Sequence, residues 1–138
     1  MKPTALLLSY IVVFSCPVLA ADDWQIIATA SPNATFTVDI GNIQRRDNNV
    51  YFWEKLIYKK PETRDAVSAK WIKEKRVHRL INCVEKTQGY TEGFTYGENE
   101  SFISSISLDE IKIKMSPIPP DTVAAKEYAL VCERELAE

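Results

Sequence analysis

Apolar and polar side chains alternate with a two-residue period through most of the chain, and the three-to-four spacing of a helix sets in only after Pro120. Residues 35–40 alternate, Gly41 and Asn42 mark a turn, and Arg46, Asp47, Asn48 and Asn49 mark a second one that links residues 43–45 to the next strand. That strand, over residues 50–58, carries the strongest signal. One face shows Val50, Phe52, Leu56 and Tyr58, the other Tyr51, Trp53 and Ile57, and Glu54 and Lys55 are its only charges. Two apolar faces predict a central strand, covered on both sides or covered on one and adhesive on the other. Residues 59–75 hold Pro61 and no sustained period, which predicts a long connection with a short helix between Asp65 and Trp71.

A strand over 76–86 places Val77, Ile81 and Cys83 on one face, and a turn at Gln88 and Gly89 feeds residues 90–96. There Gly89, Gly93 and Gly97 recur on one face, opposite Tyr90, Glu92, Phe94 and Tyr96. A bare glycine face lets a neighbour approach closely, and packing against a bulky neighbour is expected ahead of a ligand groove. Residues 102–108 give another strand, and Ile111, Ile113 and Met115 alternate with Lys112 and Lys114 before Pro117, Pro119 and Pro120 stop the sheet. Asp121 is the expected cap of a helix to about Arg134, with Ala124, Tyr128, Val131 and Cys132 along one stripe. Strands first and a helix last predict an α+β fold: an antiparallel sheet of about six strands with a C-terminal helix packed across it.

The N-terminus departs from this pattern. A basic start at Lys2, an apolar run from Ala5 to Phe14, the break at Pro17 and the small residues Val18 and Ala20 have the three parts of a secretory signal. The expected organisation is a signal peptide over residues 1–20 and a single domain over residues 21–138. Val13, Phe14, Ser15 and Cys16 loosely resemble a lipoprotein box, so acylation at Cys16 is the alternative route. The run is too short to span a bilayer, and no second apolar run is long enough to do so.

Export leaves Cys83 and Cys132. An isolated pair in an oxidising compartment is most simply a disulfide, against two buried free thiols or a metal pair. Zinc lacks ligands, since the chain has one histidine, His78, and no C-x-x-C. Nothing assembles into a catalytic constellation, so no catalytic residue, metal or cofactor is expected: there is no G-x-S-x-G, no phosphate-cradling glycine loop and no H-E-x-x-H. His78, among Lys75, Arg76 and Arg79, reads as a surface residue of a basic face.

Charge is lopsided along the chain. From Lys55 to Lys86 there are ten Lys or Arg against four acidic residues, and from Thr91 to Glu138 four against ten, within a net charge of -2. The basic run with Trp71 inside it could suit a nucleic acid, but export argues against that partner. Lys59, Lys60, Arg64, Lys70, Trp71, Lys73, Lys75 and Arg76 are the candidate binding residues, for a protein or polyanion outside the cytoplasm, against the plain reading of a solvated loop.

Taken together, Trp24 at the start of the domain, Thr37-Val38-Asp39-Ile40 running through Asn42-Ile43-Gln44-Arg45 into Val50-Tyr51-Phe52-Trp53-Glu54-Lys55, Leu80-Ile81-Asn82-Cys83, and Pro117-Ile118-Pro119-Pro120-Asp121-Thr122 before a helix bearing Cys132 resemble the surface-adhesin protein E family of exported bacterial proteins. The resemblance implies the same sheet-and-helix fold, an envelope or surface location, no catalytic residues, and in the type member the binding of host extracellular-matrix and plasma proteins. A periplasmic accessory or enzyme-inhibitor protein is the alternative function. The charged insert over residues 61–75 departs from the family pattern. For processing, the intact mass of the exported protein is expected to start at Ala21 without acyl groups; labelled fatty acid that disappears in Cys16→Ala would overturn this.

Overall fold

Alternation in the sequence becomes strands wherever a neighbour can take up the backbone hydrogen bonds. The computed structural model describes residues 22–133; the expected signal peptide, with Cys16, lies outside the described residues. The strands are β1 (Trp24–Ser31), β2 (Ala34–Asp39), β3 (Gln44–Arg46), β4 (Asn49–Tyr58), β5 (Thr63–Arg64), β6 (Trp71–Ile72), β7 (Glu74–Asn82), β8 (Thr87–Tyr96), β9 (Phe102–Ser107) and β10 (Ser116–Pro117). Eight of them form one sheet in the order β1-β2-β4-β7-β8-β10, with β3 also on β4 and β9 also on β8, while β5 and β6 form a two-stranded ribbon. The six-strand path accords with the expected antiparallel sheet. A helix α1 (Val123–Tyr128) continues as a wider π-turn over Ala129–Glu133.

Register fixes which side chains share a face. Val38 lies opposite Glu54, Glu54 opposite Val77, Val77 opposite Gly93, and Gly93 opposite Ile106, so these five form one row across the sheet. Phe36, Leu56, Lys75, Thr95 and Ser104 form the next row on the same face. The helix covers part of this face: Val38, Val50, Phe52 and Ile81 from the sheet meet Val131 and Cys132 in one buried cluster.

Several local expectations give way to particular contacts. The connection between Asp65 and Trp71 holds no helix. Instead the Asp65 carboxylate accepts the N–H groups of Val67 (3.3 Å) and Ser68 (2.8 Å) and the Ser68 hydroxyl (2.8 Å), which closes a turn. The turn expected at Gln88 and Gly89 falls earlier, where Asn82 Oδ1 accepts from Val84 and Glu85 and Lys86 takes a positive φ of 54°. Residues 111–115 alternate without forming a strand, because Ile113, Lys114 and Met115 lie across Gly89, where a Cβ would come within 2.9 Å of the Met115 sulfur. Asp121 has a φ of 57° and cannot cap the helix; the Thr122 hydroxyl accepts from the Ala125 N–H (3.2 Å) and donates to the Pro119 carbonyl (2.8 Å).

On the opposite face none of the described residues lays a helix, and rings from three strands stand side by side. Trp53 stacks on His78 at 4.8 Å and lies 6.0 Å from Phe94, and Tyr51 lies 6.0 Å from His78. Cations of the same chain sit over this face: Lys55 over Trp24 (3.9 Å), Arg76 over Tyr96 (4.5 Å) and Arg46 over Tyr51 (5.2 Å). The charged heads themselves lie over the rings, drawn to the negative π-faces that they cover. His78 is thus half-buried between rings and not a plain surface residue; burial pushes its imidazole below the usual value, Glu92 opposes that and Arg46 reinforces it.

Cys83 and Cys132 are bonded, with Cα atoms 5.6 Å apart across 49 residues of sequence. The Tyr128 hydroxyl donates to the Cys83 carbonyl (3.1 Å), a second tie between helix and sheet. Between them and the next turn of the helix lies an ionic cluster under the apolar roof. Glu127 and Glu54 are buried, and the Arg79 guanidinium reaches both carboxyls, Glu127 at 3.6 Å and Glu54 at 3.8 Å, while donating to Gln88 (3.1 Å). One guanidinium cannot neutralise two carboxylates. Burial first, then the adjoining Glu54 carboxyl, push Glu127 up to about 10 against the pull of Arg79, so Glu127 is held in its protonated form.

Two predictions follow from this packing. Non-reduced protein should show no alkylatable thiol, and Cys83→Ala with Cys132→Ala should cost on the order of 4 kcal/mol in denaturant unfolding; two free thiols in the folded wild type would contradict the bond. A carboxyl raised in the folded state stabilises fully below its unfolded value near pH ~4.5 and loses that contribution as pH rises toward about 10. Unfolding free energy should therefore fall with rising pH between those limits, by up to ~1.4 kcal/mol per unit for one proton, and Glu127→Gln should flatten this slope. An unchanged slope in Glu127→Gln would remove Glu127 as its source.

Candidate functional site

The connection between β4 and β7 leaves the sheet, folds back as the β5–β6 ribbon, and is fastened at several points. At its base the Asn33 side chain donates to the Lys60 carbonyl (2.8 Å) and to Glu62 (2.6 Å), and its Oδ1 accepts the Lys60 N–H (2.7 Å). Lys73 Nζ donates to the Lys59 carbonyl, tying the two arms together. At its tip the Ser104 hydroxyl of β9 donates to Asp65 (3.2 Å), so the turn is held to the sheet. The Ser68 N–H and hydroxyl foremost, with smaller help from the Ser104 hydroxyl and the Val67 N–H, hold the Asp65 carboxyl below its ordinary value.

Within this ribbon Arg64 and Trp71 face each other across the strand pair, and the guanidinium lies 4.3 Å from the indole centroid. Trp71 is 47% exposed, whereas its neighbour Ile72 is 5% exposed. Two adjacent residues of a strand point to opposite sides, so Ile72 fastens the ribbon and Trp71 faces solvent. Lys59, Lys60 and Lys70 are exposed on the same connection, and among the described residues none of them, nor Arg64, has a carboxylate within ion-pair distance.

Strand alternation divides the remaining candidates. Lys75 turns to the helix-side face, in the row with Leu56 and Thr95, and Arg76 to the aromatic face. Arg76 is engaged there: it bonds Glu74, reaches Glu100 at 3.3 Å and lies over Tyr96, and the Glu74 carboxylate foremost raises its basicity. Lys73 is spent within the loop. The fold brings Arg64 and Trp71 into contact, with Lys70 next to Trp71 in the chain and Lys59 and Lys60 at the base of the connection, while Lys75 and Arg76 diverge on β7. Sequence reasoning missed Asn33 and Ser104, which fix the ribbon from distant strands and carry no local signal; Asp65 with Ser68 is an Asx-type turn that the sequence could have revealed.

Among the described residues no group of three or more His, Cys, Asp and Glu is placed to hold a metal ion, and no helix is long and apolar enough to cross a membrane. No curated protein matches the chain at the level of sequence. Solved structures do match. The crystal structure of protein E from non-typeable Haemophilus influenzae shares 14% identity, covers 88% of this chain and 82% of its own, and superposes with a TM-score of 0.59. A second structure of Haemophilus influenzae protein E shares 15% identity over 72% of this chain and 77% of its own, with a TM-score of 0.53. At such identities the likeness is one of fold. The sequence profile described as surface-adhesin protein E matches residues 24–133, from the first residue of β1 to the last of the π-turn. The chain therefore belongs to the surface-adhesin protein E family.

Proposed function

We propose that this protein is a non-enzymatic, exported binding module that acts at the outer cell surface and engages an acidic patch of a host extracellular-matrix or plasma protein through the β5–β6 ribbon. Family membership supports the adhesin role, and the resemblance supplies the partner class. The observation that carries the choice of surface is Trp71, a large ring left 47% exposed on a ribbon that is otherwise pinned. An indole backed by Arg64, beside Lys70 in the chain and on the same connection as Lys59 and Lys60, joins an apolar anchor to charge steering, a combination favoured at interface hot spots. Pinning lowers the ordering cost of binding, because the loop is already in one shape. Ile72 takes the structural part, which leaves Trp71 free for recognition.

The test has two readouts. Trp71→Ala is expected to weaken binding to immobilised matrix and plasma proteins by about tenfold or more without lowering the melting temperature. Charge reversal at Lys59 and Lys70 should weaken it too, and wild-type binding should fall as salt rises, since exposed charges are screened over roughly 10 Å at 0.1 M. A drop in melting temperature with Trp71→Ala and unchanged binding after the charge reversals would make the ribbon structural only. Protease accessibility of the protein on intact cells checks the location, and protection there would favour a periplasmic accessory role.

A further inference from the structure

Gly89 and Gly93 of β8 and Gly97 just beyond it do not share one environment. A register shift in β8 opposite His78 and Arg79 pairs Tyr90 with Arg79 and Glu92 with His78, so the alternation slips by one residue there. Gly89 is filled over by Met115, Lys114 and Ile113, and Gly97 by Ser101 and Ile103. Gly93 differs. A Cβ built there would meet the Ile106 methyl at 3.5 Å and the Val77 methyl at 4.0 Å, ordinary contacts with both in its own row. Above it the helix-side face is open, and no residue of α1 lines the cavity there.

What results is a groove of about 420 Å³ floored by Val77, Gly93 and Ile106, walled by Ile72 and Tyr90, with Lys75, Arg79, Thr95 and Ser104 around it. That volume lies within the ~300–1,000 Å³ of small-molecule sites, which are mainly apolar with a few convergent polar groups. Tyr90 and Ile106 are 39% and 49% exposed, although they sit on the face that buries the core elsewhere. No carboxylate lines the groove. Arg79 is already occupied by Glu54 and Glu127, but Lys75 is half-buried and has no ion-pair or hydrogen-bond partner among the described residues. A cation held beside an apolar trough without a counterion is complementary to a ligand with an aliphatic body and one anionic head.

We infer that this groove binds a single-chain amphiphilic carboxylate, its alkyl chain lying over Gly93 between Val77 and Ile106 and its head on Lys75, since the Thr95 and Ser104 hydroxyls are already bonded to each other and to Asp65. The site lies on the sheet face and is separate from Trp71, so it goes beyond the protein-binding reading and does not depend on it. Gly93 is what makes the floor low; any longer side chain there would occupy the space of the alkyl chain.

Dodecanoate is the probe, titrated into the mature disulfide-bonded protein by calorimetry and followed by amide NMR. Saturable one-to-one binding is expected, with shift changes centred on Val77, Gly93 and Ile106. Dodecyltrimethylammonium, with the same tail and opposite charge, should bind at least about tenfold more weakly. Gly93→Leu and, independently, Ile106→Glu should each weaken dodecanoate by about tenfold or more; Ile106 is exposed, so the second variant tests the groove without burdening the core. Lys75→Gln should narrow the difference between the two detergents. Equal binding of both, shift changes elsewhere, or unaltered affinity in Ile106→Glu would overturn the assignment.

Discussion

Among the described residues, one short helical segment has to serve as the second layer for a sheet of eight strands. Six residues of α-helix and five of π-helix can roof only part of one face, and everything else about the molecule is an adjustment to that shortage. Under the roof the solution is ordinary close packing of Val38, Val50, Phe52 and Ile81 on Val131 and Cys132. Outside it the chain supplies its own cover: cations laid on aromatic rings on the far face, Met115 over Gly89, and a pinned ribbon along the connection from β4 to β7. The Gly93 groove is the place where no such cover is supplied.

A small roof must also be held firmly. The helix is attached at one end by the bond to Cys83 and at mid-length by Glu127, whose carboxyl meets Glu54 and Arg79 from the sheet. A buried ion group of this kind is weak evidence for added stability, because desolvation offsets most of the attraction. Its effect is positional: the Arg79 guanidinium, 3.6 Å from Glu127 and 3.8 Å from Glu54, ties the helix electrostatically to β4 and β7 at one place, which a purely aliphatic contact would leave less defined.

Much of this could be read from the sequence because strand period and alternation report directly on burial. Residues 50–58 declared themselves the central strand, and β4 does pair with β2, β3 and β7. Val131 and Cys132 fell on the buried stripe, and the cysteine pair formed as elimination suggested. What stayed hidden was set by partners far away in sequence. Glu54 read only as one of two charges in the central strand, with no partner in view until Arg79 and Glu127 arrived from β7 and α1. The bulge near Thr91 reassigns Gly93 and Tyr90 to a shared face, and no residue type at that position announces it. Within the candidate surface, Trp71 and Arg64 were legible as composition, but their stacking, and the division of Lys75 from Arg76 onto opposite faces, needed the register.

The position of the helix at the very end of the fold has a temporal side. The strands of the meander can zip one after another as they emerge, since each long strand lies beside a close predecessor. The roof cannot exist until Cys132 has been made, and a 49-residue loop must close before its sulfur meets Cys83. Until then Val38, Val50, Phe52 and Ile81 face water on a half-built sheet, an aggregation hazard that calls for a folding helper or rapid oxidation. In a reducing cytosol the clasp would stay open and the chain would remain pliable, which is the condition a protein must keep if it is to be threaded through a membrane before it sets.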